Sequence, residues 1–424
     1  MKKSLLLLVP LLLLLADGVS AAESIKLDDF SYTKNQVALA DEVIKILEED
    51  HFLKKSFDSV QLEAFDLYLE RLDPNKNIFL SSELNKFKEE ITKKGHIEDN
   101  LKVAYDAFKT YGKRYQSRYD LQVNFLNNIS DNDLRSSKRI IRDRSKAERL
   151  DLIEELENSW QDLIVNDVIQ LMLSGNSVEE SAEKTLKRLE NQLNYFNQTR
   201  NEDIFNIYIN SISSIYGPHT SYMSPKNTED FDINMSLSLE GIGALLSPDG
   251  PYTSISSLIP GGPAEKSGLL KPKDKIIGVG QEDDGEIIDV VGWRLDDVVE
   301  LIRGPKDSKV RLEIIPGTSM DDSNTKEIQI IRNLVKLEDQ AAEKKIINIE
   351  RDDKTFKIGV IELPAFYFDF EAYQKRDYSY RSSSKDVKRL LRELNQENIE
   401  GLILDLRNNG GGSLYEANAL AHLF

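Results

Sequence analysis

There is no cysteine anywhere in the sequence, so no disulfide can form and any exported form of the chain is held by its core alone. Histidine is nearly as scarce. His51, His96, His219 and His422 are scattered through unrelated contexts, and none stands at the spacing of a metal site or a Ser-His-Asp triad. Zinc-dependent and histidine-based hydrolysis are therefore not supported, and no cofactor is implied. Basic residues are outnumbered 55 to 73, and the resulting net charge of −18 argues against nucleic acid as a partner. Glycine and proline are rare from Glu23 to about Ser214, which leaves that stretch without turn formers and predicts an N-terminal helical domain over 23–214.

What is present begins with a signal. Lys2 and Lys3 precede an apolar run from Leu5 to Ala16 and then the small residues Val19, Ser20, Ala21 and Ala22. The run is shorter than the ~20 residues of a membrane span, and no cysteine follows it for lipid attachment. Residues 1–22 therefore read as a signal peptide cleaved near Ala21 or Ala22, with no stable membrane anchor, and a bacterial periplasm as the destination. In the helical region, Ile153, Leu156, Trp160, Leu163 and Ile164 fall at the three-and-four spacing of one helix face.

Near "SIYGPHTSYMSP" the texture changes, and glycine, proline and β-branched residues become common. Residues 237–335 contain short apolar strands such as "GIGALL", "TSISSLI", "KIIGVG" and "KVRLEII", interrupted by one helix, "WRLDDVVELIRG". Leu295, Val298, Val299 and Ile302 share a face of that helix, with Gly304 as its expected stop. Residues 339–424 hold the strand "KIGVIEL", a polar tyrosine-rich loop, the amphipathic helix "SKDVKRLLRELNQ" and the buried-type strand "GLILDL", an α/β arrangement. The fold class expected is thus multidomain α+β: helical domain, small β domain, then the start of an α/β core.

Two glycine motifs carry chemistry. In "SLEGIGALL", Gly241 and Gly243 stand before and inside a strand. The amides of Ile242, Gly243 and Ala244 can converge there on one carboxylate while the strand edge accepts an extended peptide, with Val298 and Ile302 as the opposite apolar wall. On spacing alone, a glycine-bearing strand or bulge explains the same residues. In "LILDLRNNGGGSLYEANALAHLF", a strand ending in three glycines before a helix presents N–H groups that can stabilise negative charge on a scissile carbonyl. A tight turn that merely lets helix pack on strand is the alternative reading of that stretch.

The segments "SLEGIGALL", "PGGPAEKSGLLKPKDKIIGVGQ" and "VVGWRLDDVVELIRGPKDSKVRLEI" resemble the PDZ domain of the carboxyl-terminal processing, or tail-specific, serine proteases. "GPHTSYMSP" and "LILDLRNNGGG" are similar to the segments flanking that domain, and the helical region is similar to the family's periplasmic branch. Two departures are visible: Gly217 stands where the family usually carries Asp, and Lys273 where it usually carries Gly. The resemblance implies an oxyanion-hole glycine in the turn, with Gly411 first and Gly412 in reserve, and positioning roles for Asp405 and Arg407.

The same resemblance implies a periplasmic endopeptidase that captures apolar protein C-termini and cleaves through a Ser-Lys dyad, in which a desolvated lysine activates the serine. Its partners would be polypeptides of the cell envelope, and an adaptor protein is left open. The serine and lysine belong to segments beyond the glycine turn, so the chain reads as the N-terminal part of a longer protease, able to bind peptides but not to cut them. Ser413 follows the glycines but lacks the trailing glycine of a nucleophile elbow. The alternative from a different class is a non-catalytic periplasmic peptide-binding or scaffolding protein.

Overall fold

The computed structural model describes residues 25–424 apart from 131, 136–137, 320–323 and 352–353. The signal-peptide segment and its cleavage point lie outside the described residues. The chain divides into two compact units, the first ending at Tyr222 and the second running from Met223 to Phe424.

In the first unit the described residues form seven α-helices: α1 (Lys34–Glu49), α2 (Phe57–Leu72), α3 (Ser81–Lys94), α4 (Ile97–Asn127), α5 (Ile153–Leu173), α6 (Val178–Asn197) and α7 (Asn201–Tyr216). Thr33 and Gln36 close a capping box on α1, as Ser177 and Glu180 do on α6, so each helix start is written locally. Burial then selects the faces. Phe65, Tyr68, Phe79, Ile91, Leu101, Tyr208 and Ile212 are fully enclosed in the principal core. On α5 the predicted stripe buries Leu156, Trp160 and Ile164, while Ile153 at its first turn is exposed. The Trp160 indole donates to the Asn77 carbonyl at 2.7 Å, giving a buried polar tip its partner. No helix of the described residues is long and apolar enough to cross a membrane.

The second unit opens with α8 (Pro225–Ser236), β1 (Ser238–Gly241), β2 (Ala244–Asp249), β3 (Tyr252–Leu258), α9 (Pro263–Ser267), β4 (Lys275–Gln281), β5 (Ile288–Asp289), α10 (Leu295–Ile302), β6 (Lys309–Ile315), β7 (Lys326–Ile331) and β8 (Asn333–Lys336). Strands run in the order β2-β3-β4-β6-β7, with β5 beside β4, and every pairing is antiparallel. β1 and β8 form a separate antiparallel ribbon in which Gly241 pairs with Asn333. "GIGALL" is therefore not one strand. Gly241 closes β1, and Gly243, at φ +75°, turns the chain into β2. A side chain at Gly243 would be strained by that φ and would also press on the Gly262 backbone at 3.2 Å.

The remainder comprises β9 (Glu343–Arg351), β10 (Lys354–Glu362), α11 (Phe370–Gln374), α12 (Ser383–Gln396), β11 (Gly401–Asp405) and α13 (Leu414–Ala421). β9 and β10 are an antiparallel hairpin, while β10 and β11 are parallel and joined through α12. Two expectations need correcting here. Among the described residues β11 is not enclosed on both faces, since Ile403 is 46% exposed, and it stands at the end of the order β11-β10-β9. The tyrosine-rich stretch is not simply a polar loop, because α11 lies within it and the rings of Phe370, Tyr373, Tyr380 and Tyr415 gather around buried Phe368.

The two departures from the family pattern have different physical consequences. Gly217 follows α7 in extended backbone at φ 180°, a conformation any residue adopts. Lys273 sits at φ +75°, where a side chain is crowded and glycine is not.

Candidate functional site

Two features of the second unit collect the residues singled out in the sequence. The first is a strand edge. β2 pairs with β3 on one side and, among the described residues, with no strand on the other, and α10 packs beside it. At the head of β2 the carbonyl of Gly243 accepts from the Ile259 amide at 2.9 Å, and that of Ile242 accepts from the Ala264 amide at 2.8 Å. The turn is thus held by its carbonyls. The amides of Ile242 and Gly243 have no acceptor among the described residues, although both residues are buried. An N–H in that position costs free energy until something accepts from it. Ala244, half-buried, already lies in the β2–β3 ladder opposite Leu258.

Val298 and Ile302 are 0% and 4% exposed and belong to the β domain's core, together with Ile242, Ile276 and Val310. They are enclosed in that core, while Ala244 and Leu246 of β2 and Leu301 of α10 lie half-buried at its margin. Gly304 does not act as a left-handed helix cap. α10 ends at Ile302, Arg303 is extended, and the carbonyls of Leu301 and Ile302 accept instead from the guanidinium of Arg332.

The second feature is the glycine turn between β11 and α13. It is laid along the chain that leaves β10. The Gly410 amide donates to the Pro364 carbonyl at 3.0 Å, the Phe366 amide to the Gly411 carbonyl at 2.7 Å, and the Ser413 amide to the Phe366 carbonyl at 2.8 Å. Asn409 spans the turn: its Nδ2 donates to the Leu363 carbonyl at 2.8 Å and its Oδ1 accepts from the Gly411 amide at 2.8 Å. Gly411 and Gly412 lie at φ +91° and +133°. The Gly411 amide is therefore occupied, whereas the Gly412 amide has no acceptor among the described residues.

The surroundings hold this turn in place. Asp405 is gripped by Arg407 through Nε at 2.9 Å and Nη2 at 2.6 Å, and Arg407 donates its backbone amide as well, at 3.0 Å. Those bonds hold the Asp405 carboxyl down at about 2. Ser413 caps α13, accepting from the Glu416 amide at 3.4 Å, and is itself buried, so its hydroxyl serves the helix start. Glu416, 1% exposed, accepts at Oε2 from the Ser382 hydroxyl at 2.8 Å, the Ser383 hydroxyl at 3.1 Å and the Ser384 amide at 2.7 Å. It joins the start of α12 to the start of α13. Asn409, Glu416 and Arg332 were not singled out from the sequence. For Asn409 a signal existed, since asparagine before glycine marks a turn whose side chain bonds the backbone two residues on. Among the described residues no cluster of three or more His, Cys, Asp or Glu is placed to hold a metal ion.

Comparison with known proteins meets this geometry region by region. A family model described as Tail specific protease N-terminal domain matches residues 43–226, the PDZ domain model matches 230–315, and the Peptidase family S41 model matches 357–424. The Tail-specific protease of Haemophilus influenzae is 38% identical over 382 residues, which is 89% of this chain and 52% of that protein. The chain belongs to the tail-specific, carboxyl-terminal processing protease family.

Within that family, the carboxy-terminal processing protease CtpA of Bacillus subtilis is 28% identical over 252 residues, covering 59% of this chain and 47% of that protein. The chain spans about half the length of these curated relatives. Among solved structures, the PDZ domain of a carboxy-terminal protease from Vibrio cholerae, in complex with a peptide, is 51% identical with a TM-score of 0.23, covering 24% of this chain and all of that one. The fold is accordingly the family's: a helical N-terminal domain, a PDZ domain and a segment of the S41 core.

Proposed function

We propose that the full-length protein is a periplasmic serine endopeptidase that captures apolar polypeptide C-termini in its PDZ domain and cleaves the captured chain with a Ser-Lys dyad. The observation that carries the capture half is the pair of unsatisfied amides at Ile242 and Gly243, standing at the head of the unpaired β2 edge beside α10. A terminal carboxylate supplies the acceptor those amides lack. The extended chain behind it adds as a strand to β2, and its last side chain rests on the apolar base built from Val298 and Ile302. Main-chain pairing gives affinity with little sequence demand, and the carboxylate contact restricts recognition to chain ends. Gly241, locked in the ribbon with β8, fixes where that turn begins.

The glycine turn supplies an oxyanion donor to the cleavage half. Gly412 offers an open N–H, and Gly411 becomes a donor once Asn409 releases it. Such a donor acts in the transition state, so its loss lowers turnover by roughly 10²–10³ while leaving peptide binding in place. The nucleophile and base are the serine and lysine that the family resemblance assigns beyond this turn, and the substrates are cell-envelope proteins.

Titrating the chain with matched peptides ending in a small apolar residue, one a free acid and one amidated, tests the capture half. Weaker binding of the amide is expected, and equal affinity would refute the groove. For the cleavage half, replacing the assigned serine in the full-length protein should abolish cutting and spare binding. Fractionation with N-terminal sequencing tests the location, and recovery in the membrane fraction with Met1 intact would overturn it.

A further inference from the structure

Arg332 stands between β7 and β8 and is 2% exposed. Its five N–H donors meet five acceptors: Nε donates to the Ile302 carbonyl at 2.8 Å, Nη1 to Ser308 Oγ at 3.0 Å and the Lys309 carbonyl at 3.1 Å, and Nη2 to Gln281 Oε1 at 2.6 Å and the Leu301 carbonyl at 3.0 Å. None of these is a carboxylate, and no ion pair is formed by Arg332 among the described residues. Burial lowers the guanidinium's pKa, with Glu282 opposing that shift.

A buried cation without an anionic partner is costly, and a methionine of similar length would fill the space without that cost. What the guanidinium supplies is placement. The last carbonyls of a helix need donors, and their negative end favours a cation. α10 lacks a glycine cap, so two of its terminal carbonyls depend on Arg332. Gln281 of β4 reinforces the tie by donating to the Leu301 carbonyl at 2.8 Å. The carboxyl end of α10 is thereby fastened to β4 and to the start of β6. Gly304 makes the seat, because a Cβ there would lie 3.0 Å from the guanidinium carbon.

We propose that Arg332 is a positioning residue for peptide recognition: by fixing the carboxyl end of α10 against the sheet, it sets the distance between the helix wall and the β2 edge. This rests on the reading of β2 and α10 as a peptide groove. It assigns affinity to a side chain buried behind α10.

The test titrates a dye-labelled peptide ending in free-acid alanine against the chain and against Arg332→Met, Arg332→Lys and Gln281→Ala, with amide hydrogen exchange on each. Loss of several charge-assisted bonds should weaken binding on the order of tenfold in Arg332→Met. Arg332→Lys keeps the charge but not the fork and should recover part of the loss, and Gln281→Ala should lose about threefold. In Arg332→Met the Arg303 amide, which donates to the Val299 carbonyl at 2.8 Å, should exchange faster while β6 keeps its protection. A purely structural role would instead lower protection across the sheet. Wild-type affinity in folded Arg332→Met overturns the proposal; if that variant does not fold, wild-type affinity in both Arg332→Lys and Gln281→Ala does so. A wild-type chain that binds no free-acid peptide overturns the groove reading itself.

Discussion

Phe366 and Gly412 face each other in a parallel β-bridge outside the named strands, with the Phe366 amide on the Gly411 carbonyl and the Ser413 amide on the Phe366 carbonyl. Because Phe366 bonds to the residues on either side of Gly412, the Gly412 amide itself is turned away and left open. A Cβ at Gly412 would lie 2.4 Å from the Phe366 carbonyl oxygen, whereas one at Gly411 would meet nothing within 4 Å. Gly412→Ala should therefore destabilise by about 2–4 kcal/mol, combining steric overlap with backbone strain, and Gly411→Ala by about 1 kcal/mol from strain alone. Urea unfolding of the two variants checks this, and equal costs would contradict the bridge.

Lys273 occupies a left-handed position at φ +75° with its amide tied to the Ile255 carbonyl at 2.7 Å. Removing the side chain relieves the crowding but adds freedom to the unfolded chain. The first effect is the larger, so Lys273→Gly should stabilise by up to about 1 kcal/mol. A rise in thermal midpoint with unchanged secondary structure is the expected result, and a fall would show that the turn is not strained.

Asp405 titrates below an ordinary aspartate because the side chain and backbone of Arg407 both donate to it. Its folded value, about 2, is below the roughly 3.9 of an unperturbed group. The pair's contribution is thus complete above the unfolded value and is lost as pH falls through about 2. Following the carboxyl carbon by NMR should show that midpoint. In Arg407→Gln it should move up toward the ordinary range.

Glu416 places three donors on Oε2 and none on Oε1, which is buried without a partner. Glu416→Gln keeps an oxygen for those donors and should be tolerated. Glu416→Ala removes the acceptor shared by the buried Ser382 and Ser383 hydroxyls and the Ser384 amide and should cost about 2–4 kcal/mol. Chemical denaturation distinguishes the two, and a mild Ala variant would show that the bond network is dispensable.

The sequence by itself determined what depends on neighbours along the chain. The helical face of Leu156, Trp160 and Ile164, the strands around "KIIGVG" and "KVRLEII", and α12 follow from periodicity, and the two glycine motifs from residues whose conformational freedom is local. Tertiary structure decided which of those motif groups remain open. Gly411 and Gly412 look alike in sequence, yet a side chain two residues earlier occupies one amide, and a bridge to Phe366, 46 residues away, turns the other outward. Ile403 is exposed within an apolar run, because what covers each face of β11 is set by packing and an apolar run does not encode it. The end of α10 was written as a glycine stop in the sequence, but its carbonyls are satisfied by Arg332, 30 residues on. Hydrogen-bond donors and acceptors have to be matched across the whole fold, so the partner that closes a helix or frees an amide is chosen by packing distant segments together.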